Sequence, residues 1–431
     1  MRTRFLISVA FTDLLAFGVS VVIASLYVFD TALPWEASLP NPATDSIWPM
    51  LGFMTMGLIS SSIVTARMSG PGVPRPTYGR MVAIGFGTVF ITAGLLVLFR
   101  GAYFSRAFLA VTSGSWVVLA TTHRLVRRLR PWTEKIAVIT HEKQLADDLN
   151  ASDHAEVVWV MSPESEGPLE LPDRNVTIAI DLRAVLSDRV AQFLSSSDVA
   201  GYAIRPFARV YEEHTGRVPL VHLAEGWEIS APLLEVAQWL PGKRIFDVAF
   251  TAVMVPIWVP LGLLTAGYVK LMDPGFSIFK QRRVGLEGEI FTMYKFRTMH
   301  LDAEHDGPRF AERDDPRFIR GGSFLRKSRL DEIPQLWNVL RGDMSLVGPR
   351  AEQVAFVEAF RREIPFYGHR HMVRPGLTGW AQVNYGYADD QADTIEKLTY
   401  DLYYIKHMSP VMDLRILWKS ISTVITGAGA R

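Results

Sequence analysis

Apolar and polar positions divide this chain into four regimes, and the first is nearly unbroken apolar sequence. Four runs, at about residues 5–29, 48–66, 81–99 and 102–121, each approach the ~20 residues a helix needs to cross a bilayer. They predict a bundle of four transmembrane helices over residues 1–125. The first run is too long for a secretory signal and lacks the small-residue cleavage site. Lys and Arg set the expected orientation. Arg2 and Arg4 precede the first run, Arg67, Arg75 and Arg80 separate the second from the third, and Arg124, Arg127, Arg128 and Arg130 follow the fourth. The segment from Asp30 to Ile47 carries Asp30, Glu36 and Asp45 but no Lys or Arg, and the hairpin between runs three and four has only Arg100 and Arg106. Both the N-terminus and everything after the fourth run are therefore expected on the inner side.

From residue 132 to about 227 the pattern becomes soluble. Short β-branched runs at 135–139, 157–161 and 176–180 alternate with amphipathic stretches at 143–150 and 185–193. Such βαβ patterning implies a parallel sheet and a Rossmann-like α/β domain over 131–228. A dinucleotide site would need a glycine-rich turn after the first strand. That turn reads Thr140-His141-Glu142-Lys143, so a spacer, dimerisation or regulatory role is expected instead, and a homodimer is compatible with it.

The third regime opens at Lys243-Arg244 and runs apolar from Ile245 to Val269, interrupted by Asp247, Pro256 and Pro260 and closed by Lys270. Its length suits a membrane crossing. However, each mid-run proline removes a backbone hydrogen bond and favours a kink, and basic residues flank both ends. The expectation is a re-entrant membrane helix at about 244–270, bent at Pro260, whose freed carbonyls must find partners. A full crossing would strand a charged C-terminal domain outside.

Composition narrows the chemistry. Hydrophobic residues make up 49% of the chain and charged residues 21%, with a net charge of +1, which argues against a nucleic-acid partner. No cysteine is present, excluding disulfides, thiolate chemistry and Cys-based zinc or iron–sulfur sites. The ten histidines show no HExxH spacing; His369 and His371 read as surface or substrate-facing.

The fourth regime is dense in motifs, centred on residues 325–350. Asp331 and Glu332 lie between Arg326, Lys327 and Arg329 on one side and Arg341 on the other, with Pro334 and Trp337 beyond. Nearby cations favour the ionised carboxylate, available as nucleophile or metal ligand, and would suit a phosphate-bearing substrate. On the pair alone, a helix start with acidic residues near its N-terminus is the simpler account. The surrounding motifs reverse that. They are Tyr294-Lys295-Phe296-Arg297-Thr298-Met299, Val347-Gly348-Pro349-Arg350, Arg374-Pro375-Gly376-Leu377-Thr378-Gly379-Trp380-Ala381-Gln382 and Tyr400-Asp401-Leu402-Tyr403-Tyr404-Ile405. A last stretch, 414–426, has apolar residues at helical spacing with Arg415 and Lys419; it reads as a helix on the bilayer surface or as a buried core helix. Together these features suit a soluble diphosphate substrate meeting an acceptor dissolved in the membrane.

From Lys243 to Thr426 the motifs, in this order, resemble the bacterial sugar transferases, the monotopic polyprenyl-phosphate hexose-1-phosphate transferases. The whole architecture is similar to their long form, the undecaprenyl-phosphate glucose or galactose phosphotransferases. The resemblance implies an α/β monotopic catalytic domain over 241–431, on the cytoplasmic face of a bacterial inner membrane, starting exopolysaccharide, capsule or O-antigen synthesis. It implies that Asp331 attacks the β-phosphate of a UDP-sugar, releases UMP, and passes the phosphosugar to undecaprenyl phosphate. Glu332 would support Asp331 and join it in holding Mg²⁺, a sensible cofactor where like-charged phosphates approach an anionic nucleophile. Arg326 and Arg374 would grip phosphates, with Lys295 and Arg297 near the same pocket and Arg350 on the nucleotide. Lys243, Arg244 and Pro260 match the family's re-entrant helix. One departure stands out: the family's Pro-Arg-Pro is Pro349-Arg350-Ala351 here, which frees the backbone at that turn.

Two other classes stay open. A membrane-anchored scaffold could bind nucleotide sugars without turnover, although the intact pair argues against it. A polytopic glycosyltransferase would release UDP, although no second acidic motif at DxD spacing stands out. The sequence leaves the sugar, the polysaccharide, the oligomeric state and the middle domain's role undetermined.

Overall fold

Each of the four apolar runs forms a helix: α1 (Arg2–Phe29), α2 (Trp48–Arg67), α3 (Tyr78–Leu98) and α4 (Arg106–Arg128). The fourth begins later than its apolar run and continues into the basic segment. These are features of a computed structural model that describes residues 2–39, 46–67, 78–98, 105–128, 133–165, 175–223, 227–301, 303, 315–385 and 391–426. Asp45, Arg75, Arg100 and Arg130, which carry part of the expected orientation signal, lie outside the described residues. The chain divides into two compact units, Met1–Phe207 and Ala208–Arg431.

In the first unit the four helices share a core that includes Phe17, Met50, Met54, Ile84, Phe108 and Trp116. Several hydroxyls in these apolar helices bond back to carbonyls one turn earlier, as Thr55 does to Leu51 and Thr88 to Ile84, which gives a polar group a partner within its own helix. The Trp116 indole crosses to the Asp13 carbonyl at 3.1 Å, tying α4 to α1. Among the described residues two stretches are long and apolar enough to cross a bilayer, Phe11–Glu36 and Val255–Met272, and Ile84–Leu96 is a shorter apolar one.

After the bundle come β1 (Glu134–Ile139), α5 (Lys143–Asn150), β2 (Ala155–Met161), β3 (Val176–Ile180), α6 (Asp188–Val199) and β4 (Ala203–Pro206). The strands pair in parallel in the order β2-β1-β3-β4, the start of a doubly wound sheet. All five residues of β3 are buried, which is why its sequence, Val-Thr-Ile-Ala-Ile, is apolar apart from Thr177 and does not alternate with charged positions. The order reverses between β1 and β3, where such folds take a ligand. Here the chain's own groups meet there: Thr140 Oγ1 donates to Asp181 Oδ2 at 3.2 Å, and Arg183 holds both Asp181 oxygens at 3.3 and 3.1 Å.

The second unit starts upstream of residue 241, with α7 (Phe207–Thr215). Val218 N–H bonds the Thr399 carbonyl at 3.1 Å, the Trp380 indole bonds the Gly216 carbonyl at 2.9 Å, and Lys406 pairs with Glu212 at 2.9 Å. Then follow α8 (Trp227–Val253), α9 (Val255–Met272), β5 (Ile278–Val284), β6 (Ile290–Phe296), α10 (Gly322–Lys327), α11 (Gln335–Arg341), β7 (Ser345–Val347), α12 (Val354–Glu363), β8 (Gly376–Thr378), α13 (Trp380–Asn384), α14 (Gln391–Lys406) and α15 (Pro410–Thr426).

The expected bend lies elsewhere than at Pro260. The helix breaks at Met254, and Pro256 occupies the first turn of α9 while Pro260 sits inside it. Proline is tolerated in a first turn, where its missing N–H would be unpaired anyway, so Pro256 starts a helix instead of merely kinking one. The break frees the Thr251 carbonyl, and the Trp258 indole takes it at 3.0 Å. This supplies the partner that a broken helix in an apolar medium requires. The outer faces of both helices are apolar, with Ile245, Val253, Ile257, Leu263, Leu264 and Leu271 all exposed. The last helix, α15, buries one side and exposes apolar residues on another: Met412, Asp413 and Ile416 are buried, and Leu414, Trp418 and Ile421 are exposed.

Candidate active site

The carboxylate pair sits in a short 3₁₀ turn, Leu330–Glu332, between α10 and α11. Arg329 enters that turn in the left-handed conformation, φ 59°, which costs a non-glycine residue about 1–2 kcal/mol. The reversal turns both carboxylates inward: Asp331 is 6% exposed and Glu332 7%. Beneath them Val269, Phe296, Ile319 and Leu325 form a small core packed by Leu330 and Ile333. Gly262 of α9 comes so close that a Cβ there would meet Ile333 Cγ2 at 3.3 Å. The apolar helix and the turn that carries the carboxylate pair are thus packed against one another.

Three cations converge on one oxygen of the pair. Arg329 Nη1 reaches Glu332 Oε1 at 3.3 Å, Arg350 Nη1 at 3.6 Å and Lys295 Nζ at 3.7 Å. Burial by itself raises Glu332, yet Lys295, Arg350 and Arg329 outweigh it and hold the carboxyl low, at about 2. Asp331 behaves oppositely. Burial and the adjacent Glu332 charge push it up to about 6, against Lys295, Arg326 and Arg329. This corrects the expectation that nearby cations keep Asp331 readily ionised: the fold spends those cations on Glu332. Lys295 is lowered to about 8 by burial, with Glu332 opposing and Arg350 adding.

Asp331 Oδ1 is buried with no hydrogen-bond partner among the described residues. A buried carboxylate oxygen left unsatisfied is expensive. The described residues include no cluster of three or more His, Asp or Glu that could hold a metal. The donor set fits Mg²⁺ nonetheless, because that ion is commonly bound by one or two carboxylates and completed by substrate phosphates and water.

The other candidates are distributed unevenly. Arg326 lies beside the pair, with Nε on Thr298 Oγ1 at 3.0 Å and its guanidinium 4.8 Å from the centre of the Phe318 ring. Arg297 is buried and turned to the end of α9, bonding Asp273 Oδ2 at 2.6 Å, so the structure does not bring it to the pair. Arg374 gives Nε to the Gly342 carbonyl at 2.9 Å. Arg244 bonds the Val339 and Leu340 carbonyls at 2.5 and 2.8 Å. These two arginines satisfy the orphan carbonyls at the C-terminus of α11. Lys243 is buried against Asp413 at 2.7 Å, and Asp413 also accepts from the Tyr404 hydroxyl at 2.8 Å.

The two glycine motifs meet as a parallel pair, β7 with β8. Gly348 N–H bonds the Thr378 carbonyl at 2.9 Å, and a Cβ on Gly348 would stand 2.4 Å from the Arg374 carbonyl oxygen. Only glycine fits there. Asp247, the lone acid in the apolar run, accepts from Ser345 Oγ at 2.7 Å and Leu346 N–H at 3.2 Å, fixing α8 to this strand. Asn338 pins β6, and with it Lys295, by accepting from Tyr294 N–H at 3.1 Å and donating to the Thr292 carbonyl at 2.8 Å. Sequence reading missed Asp247, Asn338, Arg283 and Arg370 as site supports. An isolated acid inside an apolar run was the one available signal.

The geometry is that of a buried, asymmetric carboxylate pair ringed by Arg and Lys and packed on an apolar, proline-broken helix pair. The comparisons place it further. A family model described as bacterial sugar transferase matches residues 238–427. Over 267 residues the chain is 44% identical to a UDP-N-acetylgalactosamine-undecaprenyl-phosphate N-acetylgalactosaminephosphotransferase of Aeromonas hydrophila, covering 58% of this chain and 62% of that one. Two proteins named UDP-glucose:undecaprenyl-phosphate glucose-1-phosphate transferase also match. That of Xanthomonas campestris pv. campestris is 41% identical, with 48% and 42% covered. That of Caulobacter vibrioides is 42% identical, with 46% and 74% covered. The chain thus spans between about two fifths and three quarters of these relatives. It belongs to the bacterial sugar transferase family.

Proposed function

We propose that this protein transfers a sugar-1-phosphate from a UDP-sugar to undecaprenyl phosphate. The observation that carries this reading is Asp331: buried, with an unpartnered Oδ1, beside a Glu332 already neutralised by three cations. Asp331 attacks the β-phosphorus, the bond from that phosphorus to the bridging oxygen breaks, and UMP leaves with the oxygen. An oxygen of undecaprenyl phosphate then attacks the same phosphorus, freeing Asp331 and forming undecaprenyl diphosphosugar. Lys295, Arg350 and Arg326 neutralise phosphate charge around the reacting centre. Asp331 and Glu332, together with the substrate phosphates, would hold Mg²⁺, which would supply further charge neutralisation. Glu332 keeps Lys295 protonated and in place.

The same reading seats the protein in a bacterial inner membrane with four crossings, the N-terminus and catalytic unit cytoplasmic, and α8–α9 re-entrant. The exposed apolar faces of α8, α9 and α15 support it. The product starts a surface polysaccharide, whether exopolysaccharide, capsule or O-antigen. Membranes carrying wild type or Asp331→Asn, given Mg²⁺, undecaprenyl phosphate and a panel of UDP-glucose, UDP-galactose and UDP-N-acetylgalactosamine, test the chemistry. UMP from the wild type alone is the expected result. Release of UDP, or equal UMP from the variant, would overturn the mechanism.

A further inference from the structure

The main chain at Arg350 and Ala351 is gripped by two buried guanidinium groups from different elements. Arg370, in the 3₁₀ turn Tyr367–Met372, donates from Nη2 to the Arg350 carbonyl at 3.1 Å. The same nitrogen bonds Asp401 Oδ2 of α14 at 2.8 Å, and Nη1 bonds the Tyr367 hydroxyl at 2.7 Å. Arg283 of β5 donates from Nη1 to the Ala351 carbonyl at 2.9 Å, and its Nε and Nη2 are fixed on Gln281 Oε1 at 3.0 and 2.6 Å. Successive carbonyls are therefore held by two different elements, at a turn where an alanine stands in place of a conformationally fixed proline.

Arg370 is 7% exposed and Asp401 2%. A buried ion pair returns little net stability, because desolvation offsets attraction, and apolar residues of similar volume often serve as well. An apolar pair cannot hold a carbonyl at a fixed position. The Arg350 side chain reaches Glu332 Oε1 at 3.6 Å. A chain of contacts thus runs from α14 through Asp401, Arg370 and the Arg350 peptide to the catalytic pair.

We propose that Arg370, backed by Asp401, and Arg283 are positioning residues that hold the Arg350 main chain so that its guanidinium stays against Glu332 and meets the donor's diphosphate. Neither arginine touches substrate. Arg370 acts through Arg350. The inference rests on the transferase reading above for what Arg350 does, though not for where Arg350 is held.

Arg370→Lys keeps a cation opposite Asp401 and loses the fork that also reaches the carbonyl. In the full-length protein in membranes it raises KM for the UDP-sugar about tenfold while kcat changes less than about threefold. Its melting temperature stays within a few degrees of wild type. In an Arg350→Ala background the same substitution changes KM by less than about twofold, since two residues acting through one contact are not additive. A second tenfold rise in that background, or a fall in kcat with KM unchanged, overturns the proposal. A wild type that releases no UMP from any UDP-sugar sinks the transferase reading alone. The positioning claim is then decided by a structure of Arg370→Lys: Arg350 displaced from Glu332 upholds it, and Arg350 still within 3.6 Å of Glu332 Oε1 overturns it.

Discussion

Two buried aspartates, one in each unit, show how similar ingredients give structure in one place and chemistry in another. Asp181 ends β3 and is 2% exposed. Its Oδ1 accepts from Arg183 N–H at 3.0 Å and Nε at 3.3 Å, and its Oδ2 from Arg183 Nη2 at 3.1 Å and Thr140 at 3.2 Å. Asp331 is about as deeply buried with cations nearby, yet its Oδ1 has no partner among the described residues. A fully satisfied carboxylate has nothing left to offer a ligand. The crevice of the middle sheet is closed by its own side chains, and the turn that holds Asp331 leaves one oxygen without a partner among the described residues.

The largest effect separates the two directly. Asp331→Asn abolishes UMP release, while Asp181→Asn leaves it within about twofold and instead lowers stability by about 1–2 kcal/mol, through a weakened charge-assisted contact. Stability moves the other way at Asp331. Its folded pKa is raised, so the ionised form strains the fold: the penalty is absent below about pH 4, grows towards pH 6 and is full above it. Asp331→Asn therefore melts higher than wild type at pH 7.5, and the gain vanishes at pH 4. A variant that melts lower at pH 7.5 would contradict the strained-acid account.

Next in size is the pH profile of turnover. Asp331 must be ionised, so activity falls tenfold per unit below about pH 6. Lys295 must be protonated, so activity declines again above about pH 8. Glu332 is the strongest group raising Lys295, so Glu332→Gln draws the alkaline limb to lower pH as well as slowing the reaction. An unmoved limb would remove Lys295 from the role.

Asn338→Ala is smaller. It orphans Tyr294 N–H and the Thr292 carbonyl and costs about 2–3 kcal/mol, read by denaturant unfolding of the detergent-solubilised protein. The smallest is Trp258→Phe, which leaves the Thr251 carbonyl unpaired at the Met254 break and costs about 1 kcal/mol. A larger loss would mean that the indole also shapes the helix junction.

Helices α1–α4 and the strands at 134–139, 155–161 and 176–180 were legible from period and composition alone, because local burial writes itself into spacing, whereas the carboxylate pair stood out only through the motifs around it. The break at Met254 in place of Pro260 was not. Either proline can interrupt a helix, and only the packing of Trp258 onto Thr251 favours one. Arg297 and Lys295 are two residues apart in one motif, yet the first faces Asp273 and the second Glu332.

The sequence by itself marked the long apolar runs, a middle sheet without a phosphate loop, and Asp331 and Glu332 as the residues to watch. Only the tertiary structure decided which carboxylate takes the cations. Arg329, Lys295 and Arg350 come from three different segments and converge on Glu332, and Lys243 finds Asp413 across 170 positions. Such pairings follow from how distant elements pack, and no local spacing encodes them. The folded chain alone leaves Asp331 buried, raised and one partner short.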